Sequence, residues 1–283
     1  MIGLSFIALM AHASTATELI SRQAQPVVVA HRGASSLAPE NTLAAIRKAA
    51  ELGSAMVEFD VRQTKDGVVV LMHDANLRRT TNGKGRVKDA NRIELSGLDA
   101  GHWFDASFSG EPIPTLDEAL AALGPKMVAA IEIKSGRTVV PRVHEAIDRH
   151  DVAGRVVLFS FRATHVRQSK AARPGLPALF LIDPEQGQDS YPPDIVAQAQ
   201  STGADLVGLN HQAVDASVVK AFQAQGLPVF VYTVDAHSDV ERMMKFGVDG
   251  IISNKPRSTR ARIERISRQS TQQSEAQNQE SRK

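Results

Sequence analysis

The sequence contains no cysteine, and this absence excludes disulfide bonds, cysteine-ligated zinc, iron–sulfur clusters and thiol nucleophiles. Aromatic residues make up only 5% of the 283 residues. The body of the chain has no basic stripe with interleaved aromatic residues, so we do not expect a nucleic-acid partner. Hydrophobic residues account for 42% and charged residues for 23%, which is ordinary for a soluble globular protein and excludes disordered and collagen-like chains.

The amino terminus has the pattern of a secretory signal. Residues 2–11 are apolar, and Ala11-His12-Ala13 fits a small-x-small cleavage site, although no Lys or Arg precedes the run. The run is too short to span a bilayer. We therefore predict a signal peptide and leader over residues 1–24, a periplasmic or secreted protein, and no stable membrane insertion. The alternative is a short apolar first helix of a cytoplasmic protein.

Positive charge is concentrated at the carboxyl terminus. Residues 257–283 contain seven Lys or Arg and three Glu, within a formal net charge of +2 for the whole chain. After about Arg268 almost nothing is apolar, and such a composition cannot bury a core. We therefore predict a folded domain over residues 25–258 and a mostly disordered, polar and basic extension over residues 259–283. Deleting residues 257–283 is expected to leave turnover intact.

Short apolar runs alternate with amphipathic segments between these two ends. The runs that predict strands are Val27–Ala30, Met56–Val61, Val68–Met72, Met127–Ile133, Val156–Phe161, Ala178–Ile182, Leu206–Leu209, Val229–Val234 and Gly250–Ser253. The segments that predict helices are Leu43–Leu52, Leu116–Leu123, Val139–His150, Thr164–Ala172, Asp194–Ser201, Ser217–Gln225 and Ser238–Phe246. Near-continuous apolar runs are typical of parallel strands that are covered on both faces.

This pattern contains eight βα units. Only Arg62–Gly67 separates the second and third runs, and so short a gap fits a hairpin and not a crossover helix. Setting one strand aside leaves eight units in about 250 residues, which predicts a TIM (β/α)8 barrel. An open doubly wound sheet is the alternative, but no G-x-G-x-x-G follows the first strand. Residues 75–114 show no clear period, and we predict an inserted loop or small subdomain over the barrel mouth.

Ionisable side chains collect where the predicted strands end. His31-Arg32-Gly33 follows the first strand, and His73-Asp74 follows the third. Two further pairs are spaced two residues apart on strands: Glu58 with Asp60, and Glu132 with Lys134. Each of these pairs points to one side of its strand. Because active sites of TIM barrels lie at the carboxyl ends of the strands, we expect the four features to meet there.

The residue types in this set predict phosphodiester cleavage. They are the carboxylates Glu58, Asp60 and Glu132, the cations Arg32 and Lys134, and the imidazoles His31 and His73. Three carboxylates without cysteine form a hard oxygen site that suits Mg²⁺ or Ca²⁺. The two cations can hold a phosphoryl group, and the two imidazoles can donate and accept protons near neutral pH. We infer a metal-assisted enzyme that acts on a phosphodiester.

A series of motifs resembles the glycerophosphodiester phosphodiesterases, relatives of the phospholipase C-like phosphodiesterases. The motifs are V-A-H-R-G (Val29–Gly33), P-E-N-T (Pro39–Thr42), V-E-F-D-V (Val57–Val61), D-G-V-V-V-L-M-H-D (Asp66–Asp74), L-R-R-T-T-N-G-K-G (Leu77–Gly85), I-P-T-L-D-E (Ile113–Glu118), I-E-I-K (Ile131–Lys134) and G-V-D-G-I (Gly247–Ile251). H-R-G alone is a weak signal. The ordered set, which runs from about Val27 to Pro256, is specific.

The resemblance implies a TIM barrel that hydrolyses glycerophosphodiesters, the deacylated phospholipids, to sn-glycerol 3-phosphate and an alcohol. It implies that Glu58, Asp60 and Glu132 hold one Ca²⁺ or Mg²⁺, that His31 and His73 form the acid–base pair, that Arg32 and Lys134 bind the phosphate, and that Glu40 and Asn41 support the site. Thr42 is well placed to cap the following helix. Which histidine is the acid, and whether water or the glycerol 2-hydroxyl attacks phosphorus, stays open at this stage.

The chain departs from the family pattern in two segments. Where the family often has W-T-V-N and T-D-x-P, this chain has Tyr232-Thr233-Val234-Asp235 and Ser253-Asn254-Lys255-Pro256. We expect both segments to lie at the rim, away from the motifs above. There they would affect the alcohol side of the substrate and not the phosphorus chemistry, and Asp235 would favour a cationic head group.

Three other functions compete with this prediction. A lysophospholipase D-like enzyme, which releases a head group from a lysophospholipid, would need an apolar groove lined by residues 75–114. A non-catalytic periplasmic binding module would be expected to lack a carboxylate or a histidine, and none is missing. A surface adhesin or membrane adaptor would rest only on the basic tail. We expect a small-molecule substrate, and the sequence does not predict the oligomeric state.

Overall fold

The structure is a computed structural model that describes residues 15–21, 24–135 and 138–280. The apolar run at residues 2–11 and the small-x-small pattern at residues 11–13 lie outside the described residues. Export of the protein therefore stays a prediction. Within the described ranges, no helix combines the length and the apolar character needed to cross a membrane.

Within the residues that the structure describes, nine strands form one sheet that closes on itself. They are β1 Val27–Ala30, β2 Met56–Gln63, β3 Val69–Leu71, β4 Val128–Ile133, β5 Val156–Ser160, β6 Ala178–Ile182, β7 Leu206–Asn210, β8 Val229–Tyr232 and β9 Gly250–Ser253. Eight strands pair in parallel in the order β1-β2-β4-β5-β6-β7-β8-β9, and β9 pairs with β1. β3 runs antiparallel to the last residues of β2, Val61–Gln63. The predicted TIM barrel is confirmed, and the open sheet is excluded because each of the eight parallel strands has a parallel neighbour on both sides, which leaves no edge.

Helices lie between successive barrel strands. The helices are α1 Ala16–Ser21, α2 Leu43–Glu51, α3 Arg92–Leu95, α4 Leu116–Ala121, α5 Val139–Arg149, α6 Ala163–Ala172, α7 Ile195–Gln200, α8 Ala216–Gln223, α9 His237–Phe246 and α10 Pro256–Glu280. Each of the seven amphipathic segments forms a helix, with ends within about two residues of the prediction, as is usual for such boundaries. Thr42 caps α2 as predicted, because its side chain accepts a hydrogen bond from the backbone N–H of Ala45.

Two apolar layers hold the barrel together. Inside the barrel, side chains from the strands and from α1 form one buried cluster, which includes Val29, Met56, Val128, Phe159, Leu179 and Phe230. The outward-facing strand residues pack against the surrounding helices in two further clusters. Strand residues are therefore buried on both faces of the sheet, which explains the near-continuous apolar runs in the sequence.

Residues 75–114 form the predicted insertion after β3. It contains α3 and three short 3₁₀ turns, at Leu77–Arg79, Val87–Asp89 and Ala106–Phe108. Its apolar side chains pack with those of β3 in a small core of Val70, Met72, Leu77, Val87, Leu95, Ala100 and Ile113. The insertion is thus an ordered subdomain, although its short turns leave no helical or strand period in the sequence.

α1 closes the end of the barrel where the strands begin. Ala16 and Leu19 are buried and pack with Val27 and Met56, the first residues of their strands. The sequence predicts only a leader over residues 1–24, whereas the structure extends the packed body to α1. The physical reason is that the open end of the barrel exposes apolar side chains, which the apolar residues of α1 cover.

The first turns of α10 pack against the barrel, beyond the predicted domain end at residue 258. Thr259 and Ile263 are 1% and 2% exposed, and the hydroxyls of Thr259 and Ser253 lie 2.9 Å apart. The helix then continues to Glu280, whereas the composition after Arg268 predicts disorder. Extending a helix that is already anchored costs far less than starting one, so a polar sequence can continue it.

The burial of Ile263 changes the expected effect of truncation. Deleting residues 269–283 is expected to leave stability and turnover close to those of the full chain. Deleting residues 257–283 is expected to destabilise the barrel strongly, because it uncovers apolar surface beneath α10. Ile263→Ala alone should lower the free energy of unfolding by about 2–5 kcal/mol. Urea denaturation of the three variants measures this, and equal midpoints for both deletions would contradict it.

Candidate active site

Three carboxylates meet at the carboxyl ends of β2 and β4. Glu58 and Asp60 lie two residues apart on β2, and the parallel register places Asp60 directly opposite Glu132. One carboxylate oxygen from each residue lies within 4.8 Å of the other two. All three side chains are buried, with Asp60 fully inaccessible. The structure therefore brings together the three acidic residues that the sequence selected.

This donor set fits a divalent cation. Glu58 Oε1 is buried and has no hydrogen-bond partner among the residues that the structure describes. Asp60 Oδ1 and Glu132 Oε1 form ion pairs with the Lys134 ammonium, at 3.2 and 2.6 Å. Burial raises the pKa of Glu58 well above its ordinary value, and the charges of the other two carboxylates add to this. A hard cation such as Mg²⁺ or Ca²⁺ would relieve that repulsion.

Of the three carboxylate residues, Asp60 makes the most hydrogen bonds and ion pairs with its neighbours. The Asn41 amide donates to Asp60 Oδ2 at 2.8 Å, and its carbonyl oxygen accepts from the Asp60 backbone N–H at 2.9 Å. Arg32 Nε lies 3.4 Å from the same carboxylate. Burial alone would raise the pKa of Asp60, but Lys134 and Arg32 hold it well below its ordinary value. Asp60 therefore stays ionised inside the barrel, and Asn41 supports it as the resemblance implied.

A left-handed turn after β1 directs Arg32 towards the carboxylates. Arg32 has φ 54°, a conformation that costs a non-glycine residue about 1 kcal/mol or more and that recurs at functional sites. Its backbone N–H donates to Glu58 Oε2, and its guanidinium donates to Glu40 Oε1, both at 2.8 Å. Gly33 follows with φ +84°, and a Cβ there would lie 2.5 Å from the Cβ of Ala45. Only glycine fits this part of the turn.

His31 lies between the carboxylates and the loop after β9. Its Nδ1 is 2.7 Å from Asn254 Oδ1, and its Nε2 is 3.9 Å from Glu58 Oε2. Burial lowers the pKa of His31 to about 4, and the adjacent Arg32 guanidinium adds to the shift. The imidazole is therefore neutral at physiological pH.

His73 is held in place by its neighbour Asp74 and by Arg62 of β2. Its Nδ1 lies 2.7 Å from Asp74 Oδ1, and the Arg62 guanidinium donates to its backbone carbonyl at 2.6 and 2.9 Å. Burial lowers the pKa of His73, and Lys134 adds to the shift. Both histidines thus use Nδ1 for a fixed hydrogen bond, which leaves Nε2 available for a substrate.

Arg79 links the insertion to the barrel. Its guanidinium donates to Asp74 Oδ2 at 2.7 Å and to both oxygens of Glu40 at 2.8 and 2.7 Å. Glu40 also accepts from Arg32, so one network connects the phosphate-binding candidate with His73. The sequence did not single out Asp74 or Arg79 as site residues. The acidic neighbour in His73-Asp74 and the following Arg-Arg pair are the signals that could have identified them.

A cavity of about 190 Å³ opens above the carboxylates. Its polar lining consists of His31, His73, Arg32, Lys134, Glu58, Glu132 and Thr233. Its apolar and aromatic lining consists of Phe159, Phe161, Leu181, Tyr232 and Ile252, and the Lys134 ammonium lies 5.4 Å from the centroid of the Phe161 ring. The rings of Phe161 and Tyr232 meet edge to face, with centroids 5.5 Å apart. The cavity suits a small molecule with an anionic group and a short carbon skeleton, because both cationic and apolar side chains line it.

The two segments that depart from the family pattern lie beside His31, not away from the motif set. Asn254 contacts the imidazole directly, and Asp235 accepts a hydrogen bond from the Asn254 amide at 2.6 Å. The expectation that they act only on the alcohol side is therefore wrong. Asp235 is also absent from the cavity lining, so nothing supports its contact with a cationic head group. The loops after β8 and β9 fold behind His31 because their strands are neighbours in the barrel.

The fold and the site together define a TIM-barrel enzyme whose charged cluster lies at the carboxyl ends of the strands. Residues 31–258 match the model of the glycerophosphoryl diester phosphodiesterase family, and the chain belongs to that family. It is 39% identical over 235 residues to a glycerophosphodiester phosphodiesterase of Caldanaerobacter subterraneus subsp. tengcongensis, an alignment that covers 81% of this chain and 94% of the relative.

Two further comparisons agree with this assignment. A glycerophosphodiester phosphodiesterase of Bacillus subtilis is 31% identical over 270 residues, covering 89% of this chain and 91% of the relative. Among solved structures, an Oleispira antarctica phosphodiesterase in complex with the product sn-glycerol-3-phosphate superposes with a TM-score of 0.79 at 28% identity. That match covers 85% of this chain and 97% of the other.

Proposed function

We propose that this protein hydrolyses glycerophosphodiesters to sn-glycerol 3-phosphate and an alcohol. The observation that carries this function is a single cavity lined by two cations, two histidines and the carboxylates Glu58 and Glu132, with the buried carboxylate of Asp60 beside them. The names of the relatives, and the product bound to the Oleispira antarctica phosphodiesterase, support the substrate class.

The charged residues have two roles, cation binding and phosphate binding. Glu58, Asp60 and Glu132 would hold one Ca²⁺ or Mg²⁺, and a bound divalent cation supplies charge stabilisation to a phosphoryl group. Arg32 and Lys134 bind the phosphate oxygens of the substrate on the same side of the cavity. Asp60 stays ionised between Arg32 and Lys134. It therefore holds both side chains close to the phosphoryl group, where negative charge develops in the transition state.

The two histidines handle the protons of the reaction. Displacement at phosphorus requires one group that removes a proton from the attacking oxygen and one that protonates the leaving alcohol oxygen. His31 directly follows β1, and His73 lies in the segment after β3, so the two rings reach the cavity from different parts of the barrel rim. Each ring has its Nδ1 engaged, so Nε2 is the atom that exchanges a proton with the substrate.

A substrate assay tests the proposed function. Purified protein is incubated with glycerophosphocholine or with lysophosphatidylcholine, and released sn-glycerol 3-phosphate and choline are measured with and without EDTA. We expect turnover of the glycerophosphodiester, inhibition by EDTA, and recovery with added Ca²⁺ or Mg²⁺. The lysophospholipase D alternative predicted an apolar groove lined by the insertion. Ile93 and Trp103 of the insertion are exposed, but none of residues 75–114, all of which the structure describes, lines the cavity above the carboxylates. Faster turnover of lysophosphatidylcholine would contradict our assignment.

Cation binding should be visible as a stability change without substrate. A divalent cation at about 100 times its dissociation constant stabilises the native state by about 2.7 kcal/mol, which corresponds to a Tm increase of roughly 5 °C for a protein of this size. The pKa of Glu58 is raised in the folded, cation-free protein. The stability associated with its protonated form is therefore present at low pH and is lost as pH rises through the raised pKa.

The direction of this pH dependence of stability can be tested by two thermal-shift measurements. The Tm of EDTA-treated protein, relative to that of Glu58→Gln, should fall as pH rises above the ordinary pKa of a glutamate. The cation-induced increase in Tm should grow over the same range, because cation and proton compete for the carboxylates. A cation effect that is absent at every pH, or equal in the wild type and in Glu58→Gln, would argue against a cation at this site.

We also propose that the protein is exported to the periplasm or the medium. The support is the apolar run at residues 2–11 and the Ala11-His12-Ala13 pattern. α1 begins at Ala16, so removal of residues 1–13 would leave the packed body complete. Cell fractionation and intact mass of the recovered protein test this. A full-length chain found only in the cytoplasm would show that the apolar run is not a cleaved signal.

A further inference from the structure

A line of hydrogen bonds leads from His31 to Asp235, on the side of the imidazole opposite Nε2. Nδ1 of His31 lies 2.7 Å from Oδ1 of Asn254. Nδ2 of Asn254 donates to Oδ2 of Asp235 at 2.6 Å. Among the described residues, the cavity lining includes His31 but neither Asn254 nor Asp235. Asp235 therefore reaches the cavity only through these two side chains.

Asp235 is fixed in place by its other hydrogen bonds. Its Oδ1 accepts from the backbone N–H of Asn254 at 2.8 Å and from the hydroxyl of Ser253 at 2.9 Å. Ser253 Oγ in turn accepts from the backbone N–H of Lys255 and lies 2.9 Å from the Thr259 hydroxyl, at the buried start of α10. The carboxylate cannot rotate without breaking several of these bonds.

Asp235 determines the direction of every hydrogen bond in the line. A carboxylate only accepts hydrogen bonds, so the Asn254 atom that faces it must be the amide nitrogen. The other end of the amide is then an oxygen, and it faces the imidazole. The Ser35 hydroxyl, which donates to the same oxygen at 2.9 Å, agrees with this orientation. A neutral imidazole has one N–H, and an acceptor at Nδ1 keeps that hydrogen there.

We propose that Asp235 is a positioning residue that sets the tautomer and ring orientation of His31 through Asn254. The role rests on the proposed function, in which His31 Nε2 exchanges a proton with the substrate. Asp235 exchanges no proton itself, and it leaves the lone pair of the imidazole on the nitrogen that faces the cavity. If position 235 were only structural, an amide of the same size would serve equally well. For positioning, the side chain facing the Asn254 amide nitrogen must be an acceptor.

The variant Asp235→Asn separates these two roles. The introduced amide can keep its carbonyl oxygen on the Ser253 hydroxyl and the Asn254 backbone, but its amino group then faces the Asn254 amino group. Two donors cannot bond, so the Asn254 amide turns over and presents its nitrogen to His31. The imidazole hydrogen then moves to Nε2, and we expect kcat to fall by about 10²-fold, as for loss of a proton-transfer group, with KM changed less than threefold.

The tautomer is measured directly and without substrate. Side-chain ¹⁵N shifts of protein labelled at its nine histidines distinguish the Nδ1-H from the Nε2-H form, and His31→Gln assigns the His31 signals by their absence. We expect Nδ1-H in the wild type and Nε2-H in Asp235→Asn. Nδ1-H in both proteins would overturn the positioning role. Because this readout needs no turnover, it stands even if glycerophosphodiesters are not the substrates.

A reciprocal second substitution provides the rescue. In the double variant Asp235→Asn with Asn254→Asp, the amide at position 235 donates to the new carboxylate, which accepts from His31 Nδ1. The double variant should therefore regain the Nδ1-H tautomer, and its kcat should be at least tenfold higher than that of Asp235→Asn. Asn254→Asp alone places two carboxylates against each other and should be the less stable single variant. A double variant no more active than Asp235→Asn would contradict the assignment.

Asp239→Asn is the matched control. Asp239 is a carboxylate on α9 that contacts Arg242 at 2.8 Å and lies 3.7 Å from the imidazole of another histidine, His211. It has no hydrogen bond to the His31 line in the part of the chain that the structure covers. We expect Asp239→Asn to leave both the His31 tautomer and kcat unchanged. An equal loss of kcat in Asp239→Asn would show that the loss in Asp235→Asn is a general effect of replacing a carboxylate by an amide.

Discussion

Replacing Glu58 by glutamine is expected to lower kcat/KM by about 10³-fold and to abolish the cation-induced increase in Tm. Glutamine keeps the size of the side chain and can still accept the hydrogen bond from the Arg32 backbone N–H. What it removes is one of three negative charges within 4.8 Å of one another. Charge stabilisation by a bound cation amounts to several kcal/mol, and about 1.4 kcal/mol corresponds to a factor of ten in rate.

The stability of the same variant shows whether the loss is local. Without cation, Glu58→Gln relieves repulsion among the carboxylates, so it should unfold at the same temperature as the wild type or higher. Glu51→Gln, on the exposed surface of α2 next to Lys48, is the control for the substitution itself and should be neutral. Full activity of Glu58→Gln, together with an unchanged response to EDTA, would remove Glu58 from the cation site.

His31→Ala is the second large effect, with an expected loss of about 10²–10⁴-fold in kcat. The buried imidazole lies beside the carboxylates, and its Nε2 faces Glu58. Removing it leaves Glu58, Asp60 and Glu132 in place, so the cation-induced increase in Tm should persist. This combination distinguishes a lost proton-transfer group from a collapsed site. A near-wild-type kcat would exclude His31 from proton transfer.

The leaving group decides which histidine is the general acid. A p-nitrophenol leaving group needs little protonation, whereas choline and ethanolamine need a proton on the departing oxygen. With a p-nitrophenyl ester of glycerol phosphate, the alanine variant of the acid should lose much less activity than it loses with glycerophosphocholine. The variant of the base should lose the same factor with both substrates. Comparing His31→Ala with His73→Ala therefore assigns the two roles.

The barrel and most of the site were predictable because the informative features are local. A parallel strand buried on both faces appears as a short apolar run, and a carboxylate within such a run is unusual enough to be noticed, as with Glu58, Asp60 and Glu132. Parallel strands place their carboxyl ends at one rim, so residues far apart in sequence could be assigned to one site. Asn41 and Glu40 came only from the motif resemblance.

The other residues of the site and the two ends of the domain depend on contacts between residues that are distant in sequence. Asn254 and Arg79 take part through hydrogen bonds to side chains distant in sequence, and polar loop residues like these resemble ordinary surface residues. Tertiary packing also decided the two ends of the domain. α1 and the first turns of α10 are folded because they cover apolar surface of the barrel, whereas their composition, judged alone, indicates a leader and a tail.

The antiparallel strand β3 has a consequence for how this enzyme can diversify. β3 pairs with the last residues of β2 and, at Val70, with Thr115, and it leads into the insertion. His73 therefore belongs to the segment that carries the insertion, whereas His31 directly follows a barrel strand. The segment with His73 is joined to the barrel through the contacts of Arg62 with His73 and of Arg79 with Glu40. Substitutions within the insertion can therefore change the surroundings of His73 while Arg32, His31 and the three carboxylates keep their places in the barrel.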